Sequence, residues 1–296
     1  FENIVGSKID RAAKDYFNGH PFESCFLQDG DSFVMDTADL IEVLTALKKA
    51  FPSLKQVSSY GRAQTMAQKT ESEMKEIADA GLNKLYCGME SGSAKVLKRV
   101  KKGITPEMIV RTGRMARVAG MHTTQFIILG LGGKALSRDH ALETARVLNR
   151  LDPDHIRVLT ICVKQGSGLE KDMASGRFTL PSEARMIAEQ RLMLSRLEHI
   201  GSHYANHHGV DLLLEVRGRL PEDKDRLLGV LDRFLGLNPE DQTHFILGRR
   251  LGYYRCLSDM ENTLAGDFVA KQVSKIRKTD PNAFEEIFHD LRKRIV

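Results

Sequence analysis

"LYCGMESGSAKVLKRVKKGIT", residues 85–105, opens as an apolar strand and continues as a basic helix. Between the two sits Glu90-Ser91-Gly92-Ser93, a carboxylate and two hydroxyls around a glycine. Working outward, the same unit recurs in both directions. Residues 37–50 and 71–80 have apolar positions at helical spacing, and short apolar runs at 25–27 and 56–60 precede them. Gly81 closes the helix over 71–80. Thr105-Pro106-Glu107 is a helix start, with the hydroxyl as N-cap and proline in the first turn. The spacing predicts helices near 93–100 and over 105–119, 137–150 and 181–199, with strands in "HTTQFIILGLGG" and "HIRVLTICV". Strands alternating with helices at this interval imply a parallel sheet. The strands end in Asp29-Gly30-Asp31, Ser59-Tyr60, Glu90-Ser91, Gly130 to Gly133 and Lys164-Gln165-Gly166. In a parallel barrel such ends gather on the ligand-binding face.

Composition narrows the class. The 296 residues are 42% hydrophobic and 28% charged, ordinary for a globular protein. No apolar run approaches the roughly 20 residues that cross a bilayer. A net charge of +5 is modest and scattered over helices, so a solvated surface is favoured over nucleic-acid binding. Cys25, Cys87, Cys162 and Cys256 form no CxxC or comparable pair. Three sit in apolar runs as small hydrophobes, which favours a reducing, cytoplasmic location. The pattern opens with a helical stretch at about 4–17, the second half of a strand–helix unit. The first strand is therefore expected before Phe1. Past residue 200 the pattern changes to a sixth strand or loop, a helix begun by Pro221, and helices over 240–296 broken at Gly266 and Asp280-Pro281. The histidine-rich "SHYANHHG" reads first as a surface loop.

The order of these motifs resembles the radical S-adenosylmethionine (SAM) superfamily, especially its methylthiotransferase and elongator-like branch. "FLQDGDSFVM" is similar to the second-strand motif of that superfamily, "LYCGMESGSAKVL" to its fourth-strand region, and "FIILGLGG" with "HIRVLTICVKQGSGL" to its fifth and sixth strands. The likeness runs over residues 1–235 and implies an incomplete (βα)6 TIM-like barrel with parallel strands and a C-terminal helical extension. The divisions expected are a partial barrel core at 1–200, a barrel-closing segment at 201–236 and a helical extension at 237–296.

The resemblance further implies SAM and a [4Fe–4S] cluster, with a 5′-deoxyadenosyl radical abstracting hydrogen from an unknown substrate. It implies a reductant such as flavodoxin or ferredoxin as partner. The superfamily's CxxxCxxC is absent from this sequence. The likeness places that loop upstream of Phe1, and none of the four cysteines is expected to replace it. SAM contacts are expected from Asp29, Gly30, Asp31, Tyr60, Glu90, Ser91, Gln125 and Gly130, with Gln125 projecting into the barrel. Asn206 and His207 are substrate-side candidates, no residue is assigned a catalytic role, and no metal ligand is expected in this chain. Each has a plainer reading: Asp29 or Asp31 as a turn cap, Ser91 or Ser93 as a helix cap, and the glycines as loop residues. A non-radical barrel enzyme for a phosphorylated small molecule and a non-catalytic barrel scaffold stay open as alternatives.

Overall fold

The computed structural model describes residues 22–28 and 30–295. The expected helix at 4–17 and the candidate Asp29 lie outside them. The elements alternate as the sequence predicts: β1 (Ser24–Leu27), α1 (Thr37–Ala50), β2 (Gln56–Tyr60), α2 (Ala63–Met66) and α3 (Glu71–Ala80). Next come β3 (Leu82–Glu90), α4 (Ala94–Arg99), α5 (Pro106–Val118), β4 (His122–Leu129) and α6 (Gly133–Leu151). Then follow β5 (His155–Thr160), α7 (Gly168–Ala174), α8 (Glu183–Ser195), β6 (His203–Asn206) and β7 (Arg217–Arg219). The helices α9 (Lys224–Gly236), α10 (Pro239–Arg250), α11 (Thr263–Thr279) and α12 (Phe284–Lys293) complete the order. The seven strands are ordered β1 to β7 in one α/β sheet. The pairs β1–β2, β2–β3 and β5–β6 are parallel, and β6–β7 is antiparallel.

The chain divides into two compact units, residues 1–89 with 103–125, and residues 90–102 with 126–296. In the first, β1, β2 and β3 turn one face to helices. Leu85, Cys87 and Met89 alternate along β3 with the half-buried Lys84, Tyr86 and Gly88, which is the two-residue period of a strand. Leu85 and Cys87 join Leu40 and Leu44 of α1, Met74 and Ile77 of α3, and Met115 and Ala116 of α5 in one apolar core. The capping box of Thr70 and Glu73 starts α3, and Gly81, at φ 125°, ends it. In the second unit α6 and α8 pack together, and buried Ile156, Val158 and Tyr204 line the covered side of β5 and β6.

Two boundaries differ from expectation. The last barrel-region helix starts at Lys224 rather than at Pro221, because Asp223 ties the intervening turn to the Arg219 N–H at 2.8 Å. Gly266 lies inside α11, where an exposed glycine costs only about 1 kcal/mol. The break falls instead after α10, at Gly252, whose φ is 85°.

Candidate functional site

In the first unit the end of β1 runs into a 3-10 turn at Ser32–Val34. Asp31 accepts from the N–H groups of Phe33 (3.3 Å) and Arg62 (3.4 Å) and from the Thr65 hydroxyl (2.7 Å). Its carboxylate therefore ties the loop after β1 to the loop after β2. Ser32 and Ser59 bond through their hydroxyls at 2.6 Å and reinforce that link. A Cβ built at Gly30 meets no atom of the described residues within 4 Å. On the face opposite the core, Phe26, Tyr60 and Tyr86 stack edge to face, with centroids 4.9 to 6.3 Å apart. The Lys84 ammonium sits 5.4 Å from the Tyr86 ring. Tyr60 is 41% exposed, large for an aromatic at a strand end.

Gln125 lies elsewhere in this unit. It lines an internal cavity of about 10 Å³ with Met66, Cys87, Met89, Ile109 and Thr112. That is the helix-covered face, rather than the inner face expected from sequence. Its Oε1 is buried without a hydrogen-bond partner. Burial pushes the Cys87 thiol up to about 12, with a contribution from Asp31, so this cysteine stays protonated.

In the second unit the quoted stretch resolves into a packed junction. Glu90 is held at φ 62°, the left-handed region, and its carboxylate accepts from Lys102 Nζ at 2.9 Å. Gly92 meets α6 so closely that a Cβ would stand 2.4 Å from the Glu143 carbonyl oxygen. Its N–H donates to Thr144 Oγ1 at 2.9 Å. Ser93 caps α4 through the Val96 N–H and bonds Asp139. Ser91 is fully buried, 2.7 Å from His140 Nδ1, and its Oγ accepts from the Ser93 N–H at 3.0 Å.

That bond belongs to a network the sequence reading missed. His140 Nε2 lies 3.1 Å from the Ile128 carbonyl oxygen, an acceptor, so Nε2 carries the proton and Nδ1 accepts from Ser91. Burial lowers the imidazole to about 4 against the Ile128 bond and Asp139, so it is neutral. Glu189 receives the Gly130 N–H at 2.7 Å and the Ser137 hydroxyl at 2.5 Å. Burial nonetheless pushes its carboxyl up to about 7. Gly130 is at φ 81°, and a Cβ there would stand 2.7 Å from Met186 Sδ and 2.8 Å from an Ile161 methyl. Packing alone thus demands this glycine.

Asn206 is also internally engaged, accepting from Gln190 and donating to the Leu213 carbonyl at 2.8 Å. It ends a strand rather than sitting in a surface loop. The exposed His207 follows it, with its N–H bonded to the buried Asp211 at 3.0 Å. Arg250 forks onto Glu183 at 2.7 to 2.9 Å, both fully buried, and Arg292 stands 3.4 Å from the same carboxylate. The four cysteines are separate free thiols, and among the described residues no group of His, Cys, Asp and Glu is arranged to hold a metal. No described helix is long and apolar enough to cross a membrane.

Residues 7–147, which run through β4 into α6, match the family model described as the Radical SAM superfamily. The chain carries a radical SAM domain. A protein named an uncharacterized methyltransferase, from Pyrococcus horikoshii, is 26% identical over 125 residues, 42% of this chain and 26% of that protein. The archaeal Methanocaldococcus infernus Elp3 aligns with a TM-score of 0.51 and 14% identity over 70% of this chain and 53% of that one. Coproporphyrinogen III oxidase (HemN) from Escherichia coli gives 0.51 and 18% over 66% and 45%. This radical SAM chain thus spans a quarter to a half of the proteins it matches, and the two structures share its fold.

Proposed function

We propose that the chain is the SAM-binding part of a radical SAM enzyme. One observation carries this: the end of β3, inside the radical SAM match, holds Glu90 in a strained left-handed conformation. A non-glycine residue at φ 62° costs on the order of 1–2 kcal/mol. Glycine would fit there without strain, so the carboxylate itself has a use. It is partly exposed, and hydroxyl groups of a ribose are donors suited to it. Gly30 leaves room for a ligand to approach the backbone, and Tyr60 offers an open aromatic face, so both stay in the proposal as SAM contacts. Ser91 and Gly130 are assigned to packing by the bonds and close approaches around them.

The residues present fit SAM but not the iron–sulfur cluster, which requires three cysteines that this sequence does not supply together. With cluster and SAM both bound, the cofactors supply the radical that takes hydrogen from substrate, while the protein binds, orients and excludes side reactions. A one-electron donor such as flavodoxin or ferredoxin completes the proposal.

The test is SAM binding by calorimetry, comparing Glu90→Gly and Glu90→Gln with the parent. Both variants should bind SAM about 5- to 150-fold more weakly, the range for a hydrogen bond to a charged group. Glu90→Gly should unfold no more easily than the parent, because strain is relieved. Undiminished SAM binding in both variants would return Glu90 to its Lys102 contact alone and sink the proposal.

A further inference from the structure

The register of β5, β6 and β7 aligns basic side chains in two rows. His155, His203 and Arg219 are partners in one, and Arg157, Ala205 and Arg217 in the next. Cross-strand partners share a face, so five of these six side chains are basic and Ala205 is the neutral centre. The opposite face carries buried Ile156, Val158, Tyr204 and Asn206. His203, Arg217 and Arg219 are exposed, and the His155 and His203 rings lie 5.6 Å apart. His207, just past β6, shares the field. Burial, then Arg157, His208 and Arg217, hold its imidazole below the ordinary range.

The nearby carboxylates are committed elsewhere. Asp211 is buried against the His207 and His208 N–H groups and Thr160. Asp223 binds the Arg219 N–H and the Arg226 guanidinium. Among the described residues neither the Arg217 nor the Arg219 side chain forms an ion pair. Like charges directly opposite one another destabilise a sheet, and a bound anion reverses that sign.

We propose that this face binds the phosphate or diphosphate group of a small molecule, seated over Ala205 between Arg157 and Arg217. Strands about 4.8 Å apart put those two backbones roughly 10 Å from each other, a gap that two guanidinium forks on one phosphate fill. Two rows by three strands, about 10 Å on a side, cover one or two phosphates and not a duplex. That the ligand is the enzyme's substrate rests on the radical SAM proposal; the anion site itself does not.

The probe is inorganic pyrophosphate added to the whole chain at low ionic strength, read by calorimetry and by the imidazole proton resonances. In the parent, pyrophosphate should bind and should raise the titration midpoint of His207. Arg217→Gln/Arg219→Gln should weaken binding by about tenfold or more, as loss of two charge-assisted contacts requires. Arg277→Gln/Lys278→Gln, on α11, should bind as the parent does. No binding to the parent, no movement of His207, or equal weakening by the α11 variant overturns the proposal. So does a single-stranded oligonucleotide that binds more tightly than pyrophosphate and is weakened equally by both pairs, since that describes a diffuse polyanion surface. SAM binding measured alongside keeps the two proposals apart: pyrophosphate binding without SAM binding supports this site and sinks the radical reading.

Discussion

Glu189→Gln tests whether the buried polar network under Gly130 is neutral or ionic. His140 Nε2 and Glu189 Oε1 lie 3.6 Å apart, close enough for an ion pair. Burial argues the other way, pushing the carboxyl from 4.5 up to about 7 and the imidazole from 6.5 down to about 4. The sign follows from linkage. A carboxyl raised on folding makes the folded state bind more protons between about 4.5 and 7, so its contribution to stability falls as pH rises through that window. A rise of that size corresponds to roughly 3 kcal/mol. The lowered imidazole acts oppositely between about 4 and 6.5, so the parent curve conceals both effects there. Glutamine copies the protonated acid, accepting from Gly130 and donating to Ser137. The variant should therefore match the parent near pH 4.5 and exceed it by about 3 kcal/mol above pH 7. With no tryptophan in the chain, urea unfolding followed by far-ultraviolet circular dichroism at several pH values is the assay. A variant less stable than the parent at neutral pH would mean that Glu189 is ionised against a charged His140, and the neutral reading would be refuted.

Gly92→Ala drives a methyl into the backbone of α6, 2.4 Å from the Glu143 carbonyl oxygen and 2.6 Å from Thr144 Cα. Because backbone gives way less readily than a side-chain tip, a loss of about 1–3 kcal/mol or more is expected in urea unfolding, and parent-like stability would contradict it. Arg250→Met leaves the buried Glu183 with Arg292 alone and should cost about 3–5 kcal/mol. Thermal unfolding checks this, and a change under about 1 kcal/mol would show that Arg292 compensates fully.

The repeating strand–helix unit was legible because local rules set it. The period of β3, the Thr70 capping box, the Thr105 cap and the closing Gly81 all act within a few residues. The helices over 37–50 and 71–80 therefore fall where periodicity puts them. The site was less legible because its bonds span long separations. Ser91 meets His140 across 49 residues, and Glu189 meets Gly130 across 59. Nothing local marks His140 as the buried member of a polar network rather than a helix surface residue. The same holds for Asn206, whose cluster of polar neighbours reads as a loop while its own amide is buried against Gln190. The basic rows were written in the sequence as Arg217-Gly218-Arg219, but only the strand register sets them opposite His203 and Ala205.

Two residues run against what the fold alone would select, and they do so in opposite directions. Most glycines at the strand ends have an internal reason: Gly92 abuts α6, and Gly130 has both a left-handed backbone and a crowded α carbon. Gly30 has neither, since its φ is not in the left-handed region and a side chain there would meet no described atom. Glu90 is the converse, a long charged side chain where the backbone would be easier for glycine. A fold shaped by packing and strain alone would exchange the two residue types. Gly30→Ala is accordingly free of steric cost within the chain, and Glu90→Gly relieves strain. A stable fold that binds its ligand less well is the joint result that packing cannot produce, which makes these two positions the sharpest test of where a ligand meets the chain.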